Sequence, residues 1–301
     1  MLESPVLAKE SSKADAGVLR LHVEKLVNDL SPRDAFAESL DPVAEYIYEE
    51  FARYGDPVYQ NVPLGIDEVR NVELTIAGQS DEAIVIGAHY DAFDGLPGAD
   101  DNASGVAGVL ELARLLAGAE LPVTVILVAY ALEEPPNFGT PSMGSVHHAR
   151  RSRQRSPSPF LMMSLEMIGY FCDKPKCQRH PLPLMGTVYP STGNFIAAIG
   201  RRREKAVLRT VKRAFLEATE MPIETLALGL PGASLSDHRN YWYEDIKAIM
   251  ITDTAYQRNP NYHTADDTPD TLDYERMALV VDGVVASIAA LGRERLERIA
   301  R

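Results

Sequence analysis

The chain has little sulfur beyond methionine, one tryptophan, and no apolar run of membrane length. A spanning helix needs about 20 mostly apolar residues, so a helical membrane span is excluded. Its two thiols, Cys172 and Cys177 in "FCDKPKCQ", cannot by themselves complete a structural zinc site. Their spacing suits either a local disulfide or two free thiols. Positive charge is also scarce: 30 Lys and Arg stand against 43 Asp and Glu, a formal net charge of −13. That balance argues against nucleic acid or an anionic lipid surface as partner, because Lys and Arg drive such binding. Two basic runs, "RRSRQR" (150–155) and "RRREK" (201–205), read as a solvated loop and a helix start. HExxH, GxSxG, GxGxxG and P-loop signatures are all absent. The first residues, "MLESPVLAKESSKADAG", lack a cationic start followed by an apolar core, so they do not read as a signal peptide. Taken as it stands the chain is expected in the cytoplasm; a chain trimmed of a leader would look the same.

With 301 residues, 46% of them hydrophobic, the chain can bury one substantial core. Residues 1–16 are expected to form a flexible extension and 17–301 a single domain. Amphipathic periodicity predicts helices over 17–30 and 41–55. Strands are expected at 71–77, 82–88, 123–131, 160–169, 194–200 and 246–253. Helices are expected over 104–117, 143–151, 203–219 and 274–298, with His147 and His148 on an exposed one. The segment 172–193, which contains Pro175, Pro181, Pro183 and Pro190, reads as loop. Strands alternating with helices indicate an α/β fold: a three-layer sandwich whose central mixed sheet, mostly parallel, is flanked by helices.

In open α/β sheets, ligands gather beyond the carboxyl ends of the strands. The strand ending near Ala88 delivers His89 and Asp91, and the turn after it delivers Asp100 and Asp101 in "GADDNASG". The strand ending near Ala131 delivers Glu133 and Glu134. Glu166 lies inside the apolar "LMMSLEMIGY", and His263 follows "AIMITD" within "YHTADDTPDTLDY". Carboxylates and imidazoles from five segments at one edge would repel unless a cation neutralises them. Oxygen and imidazole donors without thiolate suit zinc, manganese or cobalt. The set exceeds what one tetrahedral zinc needs. A pair of metals about 3.5–4 Å apart, sharing one carboxylate, would use it all.

The motifs "HYD", "GADDNASG", "LEE", "LEMIGY", "SDH" and "YHTADDTPDTLDY" occur in the order and spacing of the co-catalytic di-zinc aminopeptidases. The chain resembles that family, which also contains glutamate carboxypeptidase-like peptidases and glutaminyl cyclases, over about residues 17 to 298. The resemblance implies a zinc-peptidase fold and two Zn2+, with Mn2+ or Co2+ as substitutes. One ion would be held by His89 and Glu166 and the other by Glu134 and His263, with Asp101 bridging. It implies Asp91 behind His89 accepting its second ring N–H, Glu133 as general base, and Tyr262 helping to hold the oxyanion. The family more often has Asp where this chain has Glu166.

Each residue also has a plainer reading. Asp100 and Asn102 are good helix caps before "ASGVAGVLELA", and Asp100 is assigned to the turn. Glu133 and Glu134, before Pro135 and Pro136, would read alone as a solvated loop. A lone buried Glu166 would cost several kcal/mol, which favours a ligand role. His238 in "SDH" is expected behind the ligands or in the substrate cleft, and Asp94 has no assigned role. The expected activity is a metal-dependent exopeptidase, an aminopeptidase acting on peptides with a free N-terminus. A carboxypeptidase would need a cationic clamp, for which Arg239 and Arg258 are nearest in sequence. The same scaffold could also serve a glutaminyl cyclase or a non-catalytic binding domain. Walls of the side-chain pocket are expected from loops such as 228–245.

Overall fold

The computed structural model describes residues 13–228 and 232–299. Most of the expected N-terminal extension, residues 1–12, lies outside them. Asp15 caps the first helix by accepting from the Gly17 and Val18 N–H groups. Among the described residues no helix is long and apolar enough to cross a membrane.

In chain order the elements are α1 (Ala16–Glu24), α2 (Ala37–Ala52), β1 (Val58–Leu64), β2 (Asp67–Ile76), β3 (Glu82–His89) and α3 (Gly105–Leu116). There follow β4 (Thr124–Tyr130), α4 (Gly144–Ser152), β5 (Ser158–Glu166), β6 (Ile196–Gly200) and α5 (Lys205–Ala218). The last are β7 (Ile223–Ala227), α6 (His238–Tyr243), β8 (Lys247–Thr252) and α7 (Tyr274–Ile299). The eight strands form one sheet in the order β1-β2-β4-β3-β5-β8-β6-β7. Its centre, β4-β3-β5-β8, is parallel, while β1, β2 and the β6–β8 pairing are antiparallel. The expected three-layer α/β sandwich is the fold observed.

The period of two along each strand sorts the core into two layers. Ile84, Ile86, Val125, Leu127, Leu161, Met163, Ile249 and Ile251 pack with α1, α2, α3, α5 and α7. Ala83, Val85, Ile126, Val128, Met162 and Ala248 face the other way, against Ala149 of α4 and Tyr241 of α6. Central strands buried on both faces therefore read as continuous apolar runs, as in "AIVIGA" and "VTVILVAYA". Gly87 is required where it stands, because a Cβ there would overlap the Tyr130 ring.

Helical cover is unequal on the second face. Over β6 and β7 it is replaced by irregular chain, residues 171–193 and those around 232–236. Cys172 and Cys177 are joined in a disulfide at the start of this wall. The neighbouring backbone is pinned by Cys172 N–H to the Gly193 carbonyl and by Gln178 N–H to the Ser191 carbonyl.

Several elements differ from expectation. Edge strands β1 and β7 and the short α6 carry weak periodicity and escape a sequence reading. The first helix gives way to a wider π-type turn over Lys25–Asp29. His148 is not exposed. It is wholly buried, with Nε2 3.0 Å from Glu73 Oε2 and Nδ1 in contact with the Tyr241 hydroxyl. Its polar partners come from β2 and α6, which local helical periodicity cannot reveal.

Candidate metal centre

Five segments converge at the carboxyl ends of β3, β4 and β5. β3 ends on His89 itself and β5 on Glu166. After β4 the chain turns through Leu132 in the left-handed region (φ 63°), which redirects Glu133 and Glu134 out of strand geometry. His263 sits at a second such position (φ 54°). Non-glycine residues held there cost energy, and they cluster at functional sites.

His89 is fully buried, and Asp101, Glu133, Glu134 and Glu166 are each less than a tenth exposed. His89 Nε2 lies 3.3 Å from Asp101 Oδ1 and 3.5 Å from Glu166 Oε1. His263 Nε2 lies 3.1 Å from Asp101 Oδ2 and 3.3 Å from Glu134 Oε1. Donor atoms of His89, Asp101 and Glu166 all fall within 4.8 Å of one another, as do those of Asp101, Glu134 and His263. Asp101 belongs to both groups, one oxygen facing each histidine. A third such group joins His89 with Glu133 and Glu134.

The donors fit a cation. His89 Nε2, His263 Nε2 and Glu134 Oε1 are buried without a hydrogen-bond partner, although each has an oppositely charged neighbour. Orphaned buried polar atoms are costly, so three aimed at one space mark a place for a ligand. Electrostatics agree. Burial, reinforced by Asp101, pushes Glu134 up to about 8. Burial also raises Glu133 well above its usual value, with Glu166 and Glu134 adding and His89 opposing. His263 is pushed up to about 9: burial opposes the shift, but Asp101 and Glu134 outweigh it. Nitrogen and oxygen donors without sulfur match zinc chemistry.

Surrounding residues fix this geometry. Asp91 stands behind His89 as expected, its Oδ1 3.4 Å from Nδ1. The aligned hydrogen bond, however, runs from Nδ1 to the Asp91 backbone carbonyl at 3.1 Å. The Asp91 carboxylate instead accepts the N–H groups of Glu133 and Glu134, at 3.1 and 2.9 Å. Asp100 is wholly buried and ties two loops, accepting from Gly169 N–H and Asn259 Nδ2. Asn102 accepts Gly105 N–H at the start of α3, and it also accepts Met167 N–H and donates to the Leu165 carbonyl, clamping the end of β5. Asp94 lies in a tight turn at φ 47°.

His263 is sandwiched between Phe93 and Tyr262, with ring centroids 4.2 and 3.8 Å away. Burial first, and then Asp101 and Glu134, raise the Tyr262 phenol far above its usual value, so it stays a proton donor.

Four contributors went unrecognised in the sequence. Ser236 donates to Glu166 Oε2 at 2.7 Å, so the serine of "SDH" touches the site. Its neighbour Asp237 is wholly buried, and burial with Glu166 and Asp91 pushes it up to about 7 against the pull of His89. His238 points elsewhere: Nε2 donates to the Ala233 carbonyl, and burial lowers it to about 4. Asp267 accepts the N–H groups of Asp100 and Asp101. Buried Arg33 donates to the carbonyls of Leu26, Tyr90, Pro97 and Gly98. Only "SDH" offered a sequence signal: its serine touches Glu166, and its histidine supports the substrate-cleft side through Ala233.

Beside Glu166 and Tyr262 opens an apolar recess. It crosses the helix-free face of the sheet over Met250 of β8, Phe195 and Ala197 beside and on β6, and Leu226 of β7. Three inter-strand steps separate β5 from β7, about 14 Å at the usual spacing. Met185, Tyr189 and Leu235 help to wall it. Of the two arginines considered as clamps, Arg258 is buried and donates to Gln178 Oε1 and the Tyr170 carbonyl. Arg239 is partly exposed, with its guanidinium over the Phe138 ring at 4.9 Å.

Comparison with known proteins identifies the family. Residues 71–288 match Peptidase family M28. An uncharacterized protein of Escherichia coli (strain K12), YfbL, is 45% identical over 276 residues, covering 87% of this chain and 84% of that one. A probable leucine aminopeptidase of Trichophyton verrucosum is 25% identical over 221 residues, covering 69% of this chain and 53% of the relative. The chain thus spans about half the length of that aminopeptidase. Among solved structures, LapB from Legionella pneumophila superposes with a TM-score of 0.74 at 24% identity, covering 93% of this chain and 72% of that one. With the match spanning well over half of its length, the chain belongs to peptidase family M28 and is a hydrolase acting on peptides.

Proposed function

We propose that the protein is a di-zinc aminopeptidase. The observation that carries this reading is Asp101, whose two oxygens face two separate donor groups while Glu133 stands beside both. His89 and Glu166 would hold one ion and Glu134 and His263 the other. Two such ions supply Lewis acidity and bring the pKa of water toward neutrality.

The chain's own residues do the rest. Glu133 Oε2, 4.0 Å from His89 Nε2, borders the centre without being needed as a ligand. It would take the proton of the attacking water and return it to the leaving amine. Tyr262 would donate to the oxyanion. Asp91 keeps Glu133 and Glu134 in register through their backbone N–H groups. The substrate's α-ammonium is held by the excess of acids, Glu166 foremost, and its side chain enters the apolar recess.

The test pairs metal analysis with substrates. Two zinc ions per chain and cleavage of aminoacyl but not N-blocked peptides are expected. Release of C-terminal residues from blocked peptides would move the assignment to carboxypeptidase. A metal-free, fully folded and inactive protein would indicate a binding domain, and cyclisation of N-terminal glutamine would indicate a cyclase.

A further inference from the structure

One cation on the loops that follow the site residues takes no part in the hydrolytic steps. Arg239 follows the "SDH" turn and leans on the chain just beyond Glu134. Its guanidinium lies over Phe138, and its Nη1 is 3.5 Å from where a Cβ of Gly139 would be. That segment is fastened to the site, because Asn137 and Phe138 both donate their N–H to the Glu134 carbonyl.

The guanidinium is under-used. Nη2 donates to the Tyr243 hydroxyl at 3.2 Å. Nε is buried without a partner, and among the described residues no carboxylate pairs with the group. Elsewhere the acidic surface takes up its arginines: Arg150 and Arg153 pair with Glu244, and Arg203 with Asp245. Arg258, the other clamp candidate, donates to Gln178 and the Tyr170 carbonyl, and its Nη2 is unpartnered but enclosed, with the residue only 3% exposed. Stacking on aromatic rings holds a guanidinium by its faces and leaves its in-plane donors for an anion.

Its side of the site follows from the roles of Glu133 and Glu166. The apolar recess opens at Glu166 and Tyr262 and receives the first side chain. Glu133 returns its proton to the leaving nitrogen, so the second residue of the substrate lies on the Glu133–Glu134 side, toward Phe138. In a dipeptide the terminal carboxylate carbon is about 2.5 Å beyond that nitrogen, and one more residue adds about 3.6 Å. Arg239, stacked on Phe138 four residues beyond Glu134, stands on that side.

Building on the aminopeptidase reading, we propose that Arg239 receives the terminal carboxylate of a short substrate. The preferred substrates are then di- and tripeptides with a free C-terminus. Arg and carboxylate form charge-assisted, often bidentate hydrogen bonds. The second product, an amino acid or dipeptide, would leave from the same clamp.

The experiment uses the full-length, zinc-loaded protein. Leu-Leu and Leu-Leu-Leu are compared with their C-terminal amides, with leucine p-nitroanilide as reference. The free acids should be preferred by about tenfold in kcat/KM, the order expected for one charged hydrogen-bonded contact, and mainly through KM. The ratio should approach unity in Arg239→Gln, be intermediate in Arg239→Lys, and shrink with added salt. Equal use of acid and amide by the unaltered protein, or an undiminished ratio in a folded Arg239→Gln, overturns the proposal. Calorimetric titration of Glu133→Gln protein with Leu-Leu and its amide decides the same point without turnover: weaker binding of the amide supports the clamp, and equal binding overturns it. If no free-N-terminal substrate is cleaved, the aminopeptidase reading fails, while the titration still decides the role of Arg239.

Discussion

Replacing Arg33 by methionine should unsettle the metal centre without touching a ligand. Its guanidinium is fully buried and donates to four backbone carbonyls at 2.8 to 3.0 Å. Three of them, on Tyr90, Pro97 and Gly98, belong to the loop that links His89 and Asp91 to Asp101. Burial lowers the Arg33 pKa to about 10, against the pull of Asp267, Asp91 and Asp101, so the group is charged at neutral pH. Methionine fills similar space but leaves the carbonyls unpaired, at about 1–3 kcal/mol each. Several kcal/mol return because a charge no longer has to be desolvated. A net loss of about 4 kcal/mol is expected. For a chain of 301 residues, an unfolding entropy of about 2.1 cal/mol/K per residue turns this into a Tm drop of about 6 °C. Arg33→Lys keeps the charge but loses the planar fork and should recover less than half of that. Thermal unfolding followed by circular dichroism, with zinc content measured on the same samples, is the assay. A drop below about 2 °C with full zinc content would refute the view that Arg33 holds the loop.

Four further outcomes are expected. Glu133→Gln should keep its metal and lose roughly 10²- to 10⁴-fold in kcat; near-normal hydrolysis of leucine p-nitroanilide by that variant would reassign the base. Asp101→Ala should hold fewer than two ions by elemental analysis, so two tightly bound ions would exclude a bridge. Gly98→Ala should destabilise the centre, since Gly98 has φ +58° and a Cβ there would come within 3.0 Å of an Arg33 nitrogen; unchanged Tm and zinc content would contradict this. Metal-free protein should lose stability from about pH 6.5 to 9. Glu134, at about 8, and His263, at about 9, bind protons more tightly folded than unfolded, so stability falls as those protons leave. Below pH 6.5 the buried His148 and His238, whose values are lowered, act in the opposite sense. A Tm of chelator-treated protein that rises across pH 6.5–9 would refute that account.

Several of the candidate donors were legible because they sit at the end of a strong signal. His89, Glu133, Glu134 and Glu166 follow or interrupt apolar runs long enough to be unmistakable strands, and their polarity there demands an explanation. The supporting residues were not legible for an equally physical reason. Arg33 in "SPRDAF" looks solvated, since its partners are backbone carbonyls, which leave no mark in a sequence. Asp267 satisfies two N–H groups of a loop more than 160 residues away. The edge strands β1 and β7 bury too little to impose alternation: β7, "IETLA", is only half-buried along most of its length. The motif places Asp91 behind His89, but it is the Asp91 backbone carbonyl that meets the ring, while the carboxylate serves the backbone of the next segment.

The uneven cover of the sheet separates chemistry from choice. The atoms that would break the peptide bond stand at the ends of central strands packed by helices on both sides, where one altered side chain disturbs many neighbours. On the proposed reading, the side chain acted on would be chosen over β6 and β7, by a wall of mostly irregular chain pinned near its start by Cys172 and Cys177. Insertions and exchanges between Gln178 and Tyr189 can therefore redraw preference while leaving the catalytic frame alone.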